Sequence, residues 1–190
     1  MGALAAGMWR WTADSFERAG EAGVFGGAHA DLIDGEVRVM SPQSPLHAFV
    51  LRVLLGALAG VGPSCSASVQ SPVRLAADTE LEPDVCIASG PQEKYAHRHP
   101  GPEDVLLVVE VAVTSLGFDA GEKLRTYARY GVPEVWVVDA GHRQVIVYSS
   151  PDRDQGVYVH VEVRATGGLE AWGLTLTVEQ LWPPEADAQP

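Results

Sequence analysis

The stretch "VLLVVEVAVTSLGFDAGEKLRTYARYGVPEVWVVD", residues 105–139, restricts the fold more than any other part of the chain. From Val105 to Val113 every position is apolar except Glu110. A run of this kind is the signature of a strand covered on both faces. Phe118 to Tyr130 then carries helical spacing, with Gly131 placed to cap its end and Pro133 to prevent continuation. "EVWVVD" follows as a second buried strand. Strand, helix, strand with both strands buried implies an α/β domain built on a mixed sheet. Glu110 is the anomaly, because a carboxylate inside an apolar strand is costly unless a charge or hydrogen bonds meet it. A buried ion pair or a divalent cation shared with other oxygen ligands can each do so.

The remaining segments supply the elements around that unit. Thr12 caps a helix over "ADSFERAGEAG", which the glycines at 23–27 end. "ADLIDGEVRVM" reads as a hairpin turning at Asp34-Gly35, with Glu36 opening its second strand. "SPLHAFVLRVLLGALAG" has Ser44 as cap, Pro45 at the first helical position and Phe49, Val50, Val53, Leu54 and Leu58 at helical spacing. Short strands "SASVQ", "PVRL" and "EPDVCIAS" come next, punctuated by Pro72 and by Asp78-Thr79. The polar stretch 91–104 is expected as a loop or short irregular helix, with His97 and His99 as solvated surface groups. "RQVIVYS" and "VYVHVEVR" read as antiparallel strands, the latter alternating Val157, Val159, Val161 and Val163 with Tyr158, His160 and Glu162. No repeat or linker divides the chain, so residues 1–182 are expected as one domain and 183–190 as a disordered tail.

With 190 residues, 46% of them hydrophobic, the chain can close one core. Its formal charge of −12 disfavours polyanion binding over the whole surface and leaves a local basic groove or a bridging cation as the routes to one. Cys65 and Cys86 belong to no metal-ligand or CxxC pattern. The N-terminal "MGALAAGMWRW" lacks the charged start of a signal peptide, and no window is apolar for long enough to span a membrane. A reduced cytoplasmic setting is the expectation.

Asp84, beside Pro83 at the start of its strand, is the natural second acid. On neighbouring strands Asp84 and Glu110 converge, and two close carboxylates repel unless a cation bridges them; a turn or cap acid is the plainer role for Asp84. Lys123 lies on one helix face with Asp119 four residues before it and Tyr127 four after. Two acids and a lysine around a hard cation suit phosphodiester hydrolysis, in which the lysine orients water or neutralises developing charge. The plain alternative is that Lys123 serves only as the ion-pair partner of Glu110. Asp119 fits a helix N-terminal acid as well as a ligand, and Tyr127 and Trp136 fit core positions.

These residues carry a resemblance. "PDV" at 83–85, "VVEVAVTS" and the following Asp119, Lys123 and "GVPEVWVVD", with "LIDGEVRVMSPQSPLH" at 32–47 upstream, are similar to the Uma2 family, formerly DUF820, of the PD-(D/E)XK or restriction-endonuclease-like superfamily. The similarity extends from about Thr12 to Trp182. It implies a restriction-endonuclease-like α/β (α+β) fold, with a four-stranded mixed core sheet flanked by helices and added antiparallel hairpins. It further implies a Mg²⁺ (or Mn²⁺) site from Asp84, Glu110 and the Val111 carbonyl. Where the superfamily places a lysine two residues after the second acid this chain has Ala112, so the resemblance transfers that role to Lys123. Glu36 and His47 match recurring positions: Glu36 is a further catalytic acid or a solvent-facing hairpin residue, and His47 lines the cleft or caps its helix.

The function implied is a Mg-dependent nuclease acting on DNA or RNA, expected as a homodimer. A non-catalytic binding or assembly module with the same fold is the rival, and an enzyme of a smaller phosphate substrate is the third reading. Arg52, Arg74, Lys94, Arg98, Arg125 and Arg129 gathered near the cleft would favour nucleic acid.

Overall fold

Local rules set most element boundaries in the computed structural model, which describes residues 9–184 apart from 41, 114–116 and 118. Helix α1 (Ala13–Glu21) starts at a capping box. The Thr12 hydroxyl accepts from the Ser15 amide while Ser15 Oγ accepts from the Thr12 amide, satisfying two otherwise orphaned donors. Strands β1 (Ala30–Ile33) and β2 (Glu36–Val39) meet at Asp34 (φ 50°) and Gly35 (φ 77°), the left-handed pair that a tight hairpin needs. Helix α2 (Pro45–Ala57) opens with Ser44 Oγ accepting from the His47 amide and Pro45 in the first turn.

The chain then forms β3 (Cys65–Val69), β4 (Val73–Ala76), β5 (Thr79–Leu81), β6 (Val85–Ser89) and β7 (Val105–Ala112). A short 3-10 helix, Gln92–Tyr95, lies in the polar stretch before β7. A π-helical turn, Asp119–Lys123, leads into α3 (Leu124–Tyr130), which Gly131 ends at φ 76°. Of the single helix expected over 118–130, Phe118 lies outside the described residues and the remainder is a π turn followed by a shorter α-helix. Strands β8 (Glu134–Asp139), β9 (Gln144–Asp152), β10 (Val157–Arg164), β11 (Gly168–Ala171) and β12 (Leu174–Thr177) complete the order.

Six strands form the central sheet in the order β10-β9-β8-β7-β6-β3. β7 and β8 run parallel and the other neighbours antiparallel, so the sheet is mixed. The expected core of four strands is extended by β3 and β10 at its edges. A second sheet, β2-β1-β5-β4, and the β11–β12 hairpin are separate.

The central sheet is covered on both faces, which is why β7 is apolar throughout. On one face Val109, Val111, Trp136 and Val138 pack against Val50 and Leu54 of α2 and Leu169, Leu174 and Leu176 of the β11–β12 hairpin. On the other, Val108, Ala112, Val135 and Val137 meet Tyr127 and Ala128 of α3 and Ile33, Val73 and Leu81 of the smaller sheet. Glu110 alternates with Val109 and Val111, so it faces the second layer, between the sheet and α3. No helix of the described residues is long and apolar enough to cross a membrane. Both cysteines are free thiols, and burial pushes Cys86 up to about 12. Residues 185–190 of the expected tail lie outside the described residues.

Candidate active site

At the end of the β6–β7 ladder the register pairs Val85 with Val109, so Asp84, one residue before β6, stands opposite Glu110. Asp84 does not lie within the strand as expected. It replaces the next ladder acceptor: its Oδ2 takes the Val111 amide at 2.8 Å. Its Oδ1 is 2.9 Å from His47 Nε2, in the first turn of α2, and accepts from Gln70 Nε2 at 3.3 Å. His47 thus reaches the site rather than merely capping its helix.

Glu110 is met from the π turn and from α3. Lys123 Nζ lies 3.0 Å from Glu110 Oε1 and donates to Oε2 at 3.1 Å, and the Tyr127 hydroxyl donates to Oε1 at 2.7 Å. The π turn widens the helix where Lys123 leaves it, and such bulges recur at functional sites. Lys123 is only 1% exposed, so its ammonium is buried among carboxylates.

A third acid completes the group. Asp31, in β1, is fully buried; Oδ1 accepts from the Glu82 amide at 2.8 Å, and Oδ2 lies 3.3 Å from Lys123 Nζ. That approach attracts electrostatically but is out of line for a hydrogen bond, and Oδ2 accepts none. Burial pushes the Asp31 carboxyl above its ordinary value; the Lys123 ammonium and the Glu82 amide oppose this, and the Asp84 charge adds to it. Burial, with Glu110 and Asp31 beside it, drives the Tyr127 phenol well above its usual range, so it remains a neutral donor.

Of the three buried acids, Asp31 and Glu110 meet the Lys123 ammonium and Asp84 meets the His47 imidazole. Among the described residues no cluster of three or more His, Cys, Asp or Glu is already drawn together at metal-binding spacing. The donor chemistry nonetheless fits a hard divalent cation. It is all carboxylate oxygen, carries excess negative charge, and includes a buried Asp31 oxygen that accepts no hydrogen bond.

Asp31 is not among the candidates that the sequence suggests, although the acid inside "ADLI" is the same signal as Glu110. Tyr127 is a core residue, as expected, whose hydroxyl also serves the site. Glu36 stands apart: its carboxylate is 42% exposed and pairs with Arg10 at 3.4 Å and Arg38 at 2.9 Å. Arg38 connects it to Glu122, next to Lys123, at 3.1 Å. The side chain of Asp119 lies outside what the structure describes. Several basic residues are already neutralised by acids: Arg74 pairs with Asp14, Glu17 and Glu80, Lys94 and Arg98 with Asp104, and Arg129 with Asp34.

The raised carboxyl of Asp31 makes metal-free stability depend on pH. A carboxyl with a raised folded value contributes stability that is complete below its unfolded value of about 3.9 and is lost as pH rises through the folded value. Asp31→Asn cannot ionise. In chelator, the stability of the wild type relative to Asp31→Asn is expected to fall as pH rises from about 4, and urea denaturation of both proteins at a series of pH values checks this. A difference that stays constant or grows with pH rejects the burial argument for Asp31.

The sequence profile of the Uma2 family, described as "Putative restriction endonuclease", matches residues 17–186. No curated protein matches the chain. Among solved structures, the fold is shared with a protein from Anabaena variabilis described as a "putative nuclease belonging to DUF820". The TM-score is 0.65 at 15% sequence identity, with 90% of this chain and 97% of that one covered. A profile match over nearly the whole length, on a fold shared from end to end, places this chain in the Uma2 family.

Proposed function

We propose that the chain is a divalent-metal-dependent nuclease that hydrolyses phosphodiester bonds in DNA or RNA. The observation that carries this reading is the meeting of buried Glu110 and Asp31 at the Lys123 ammonium, with buried Asp84 opposite Glu110 across the β6–β7 ladder. Asp84 and Glu110, with the Val111 carbonyl, would hold Mg²⁺ or Mn²⁺. Such an ion, when bound, polarises a phosphate oxygen and lowers the pKa of a water. The chain's own groups do the rest. Lys123 Nζ neutralises charge developing on the phosphate and orients water, in the role taken over from the position of Ala112. Tyr127 orients Glu110 through Oε1, and His47 and the Val111 amide orient Asp84. Asp31, held by the Glu82 amide, flanks the ammonium and holds it in place.

Incubation with single- and double-stranded DNA and RNA in Mg²⁺ or Mn²⁺ tests the reading. Cleavage that needs the metal and is lost in Asp84→Asn is the expected result. One observation favours the binding or assembly module instead: both Glu110 oxygens are already engaged by Lys123 and Tyr127. A folded protein that cleaves none of the substrates and gains no stability from either metal would overturn the nuclease and leave the module as the reading to test.

A further inference from the structure

Strand β10 forms one edge of the central sheet, and among the described residues its ladder partner is β9 alone. Its sequence, "VYVHVEVR", contains no proline, glycine or lysine, the residues that commonly blunt a free edge. The alternation of this strand does not bury its valines. Val157, Val159, Val161 and Val163 are 46–65% exposed, whereas Tyr158 is buried. An eight-residue edge with a row of exposed valines is a template for another strand.

Geometry restricts how a second copy can pair with it. In an antiparallel pair, residues directly opposite each other have the same orientation of their backbone groups. For two identical strands about a two-fold axis, odd-numbered residues must therefore face odd, and even face even. Valine meets valine in every permitted register, and the even residues choose among registers. With the axis at Val161, that residue meets its own copy and Val159 meets Val163. His160 then faces Glu162, and Tyr158 faces Arg164, each twice by symmetry. Moving the axis to Glu162 sets two carboxylates against each other and His160 against Arg164. Moving it to His160 sets the two imidazoles together. Glu162 already pairs with Arg164 along its own strand, and a register centred on Val163 would keep only residues 162–164 of β10 opposed to the partner strand. Of the registers that oppose nearly the whole strand, the one centred on Val161 alone sets neither two carboxylates nor two imidazoles together, and cross-strand pairs of like charge are disfavoured.

From this complementarity we propose that the protein forms a two-fold dimer by antiparallel pairing of β10 with β10 of a second copy, centred on Val161, joining the two central sheets into one. The edge is then closed, and the exposed valines stack on their counterparts.

Light scattering after size exclusion across a dilution series tests it, with circular dichroism to confirm that each variant is folded. The wild type is expected to be a dimer. Val161→Glu, at an exposed position, places two carboxylates on the axis and is expected to give a folded monomer. His160→Glu weakens the dimer, and exchanging both residues, H160E with E162H, restores it. The register has its own check. In antiparallel pairs the Cα atoms of opposed residues lie about 4.5–5.5 Å apart, within the disulfide range of about 4.4–6.8 Å. Oxidised Val161→Cys in a Cys65→Ser background is expected to become a covalent dimer, and His160→Cys is not. A wild type that is monomeric at every concentration, or a dimer that survives Val161→Glu, overturns the proposal. Concentration-dependent growth beyond the dimer overturns it as well, since it indicates pairing of β10 with the opposite edge, β3. Crosslinking of the His160→Cys variant but not of Val161→Cys rejects the register.

Discussion

Lys123→Met is expected to lower the unfolding free energy of the metal-free protein by about 3–5 kcal/mol, the cost of leaving a buried charge without its partner. Nζ lies 3.0 Å from Glu110 and 3.3 Å from Asp31, and both carboxylates are almost completely buried. Methionine keeps the aliphatic stem and removes the ammonium, so packing is roughly preserved and the loss is electrostatic. The carboxyls then respond by holding protons, which makes the penalty smaller in acid than at neutral pH. Hydrolysis is expected to vanish in the same variant. Urea denaturation in chelator and in Mg²⁺, beside a cleavage assay on both proteins, separates the two roles. A loss below about 1 kcal/mol in chelator, the scale of an exposed ion pair, rejects the buried-pair account. Full cleavage by folded Lys123→Met rejects the catalytic role. Large destabilisation that Mg²⁺ does not reduce makes Lys123 a scaffold cation and favours the assembly-module reading.

The parts of this arrangement that can be read from sequence are those set by local chemistry. Thr12, Ser44-Pro45 and Asp34-Gly35 fix a capping box, a helix start and a left-handed hairpin turn whatever surrounds them. The apolar run around Glu110 marks a doubly covered strand, and the desolvation of its carboxylate points to a partner such as Lys123. The β11–β12 hairpin is hidden because its turn uses Trp172 (φ 54°) before Gly173 (φ 88°), where Asn or Asp would signal a tight turn. β5 is hidden by brevity, since Thr79–Leu81 follows a turn that reads as the end of β4. The π turn leaves no mark in the spacing of residues 118–130. Asp31 is obscured by its short strand, set between His29 and Asp34, where one more polar residue attracts no notice. Its importance arises only when the smaller sheet lays β1 against Lys123, a tertiary contact that no local pattern encodes. Glu36, beside the conspicuous turn, is the more visible acid of that hairpin, although Asp31 is the one that reaches the buried lysine.

Asp84→Asn is expected to remove a metal-dependent stabilisation that the wild type shows. Mass action gives about 2.7 kcal/mol when the free metal is about a hundred times its dissociation constant. The substitution preserves shape and one oxygen, so the Val111 amide can keep its acceptor, and the amide nitrogen is left facing His47, whose ring can present either tautomer. Losing this charge also relieves the neighbouring acids, because the Asp84 charge is one of the influences that raise the Asp31 carboxyl. In chelator the variant is therefore expected to be at least as stable as the wild type. In Mg²⁺ or Mn²⁺ the order reverses, since the wild type alone gains from the ion, and cleavage is lost with that gain. Melting temperatures of both proteins in each metal and in chelator decide it. Equal wild-type values with and without metal count against a specific site. A variant much less stable than the wild type in chelator would instead make Asp84 a structural acceptor that closes the β6–β7 ladder, and its loss of activity would then say nothing about metal.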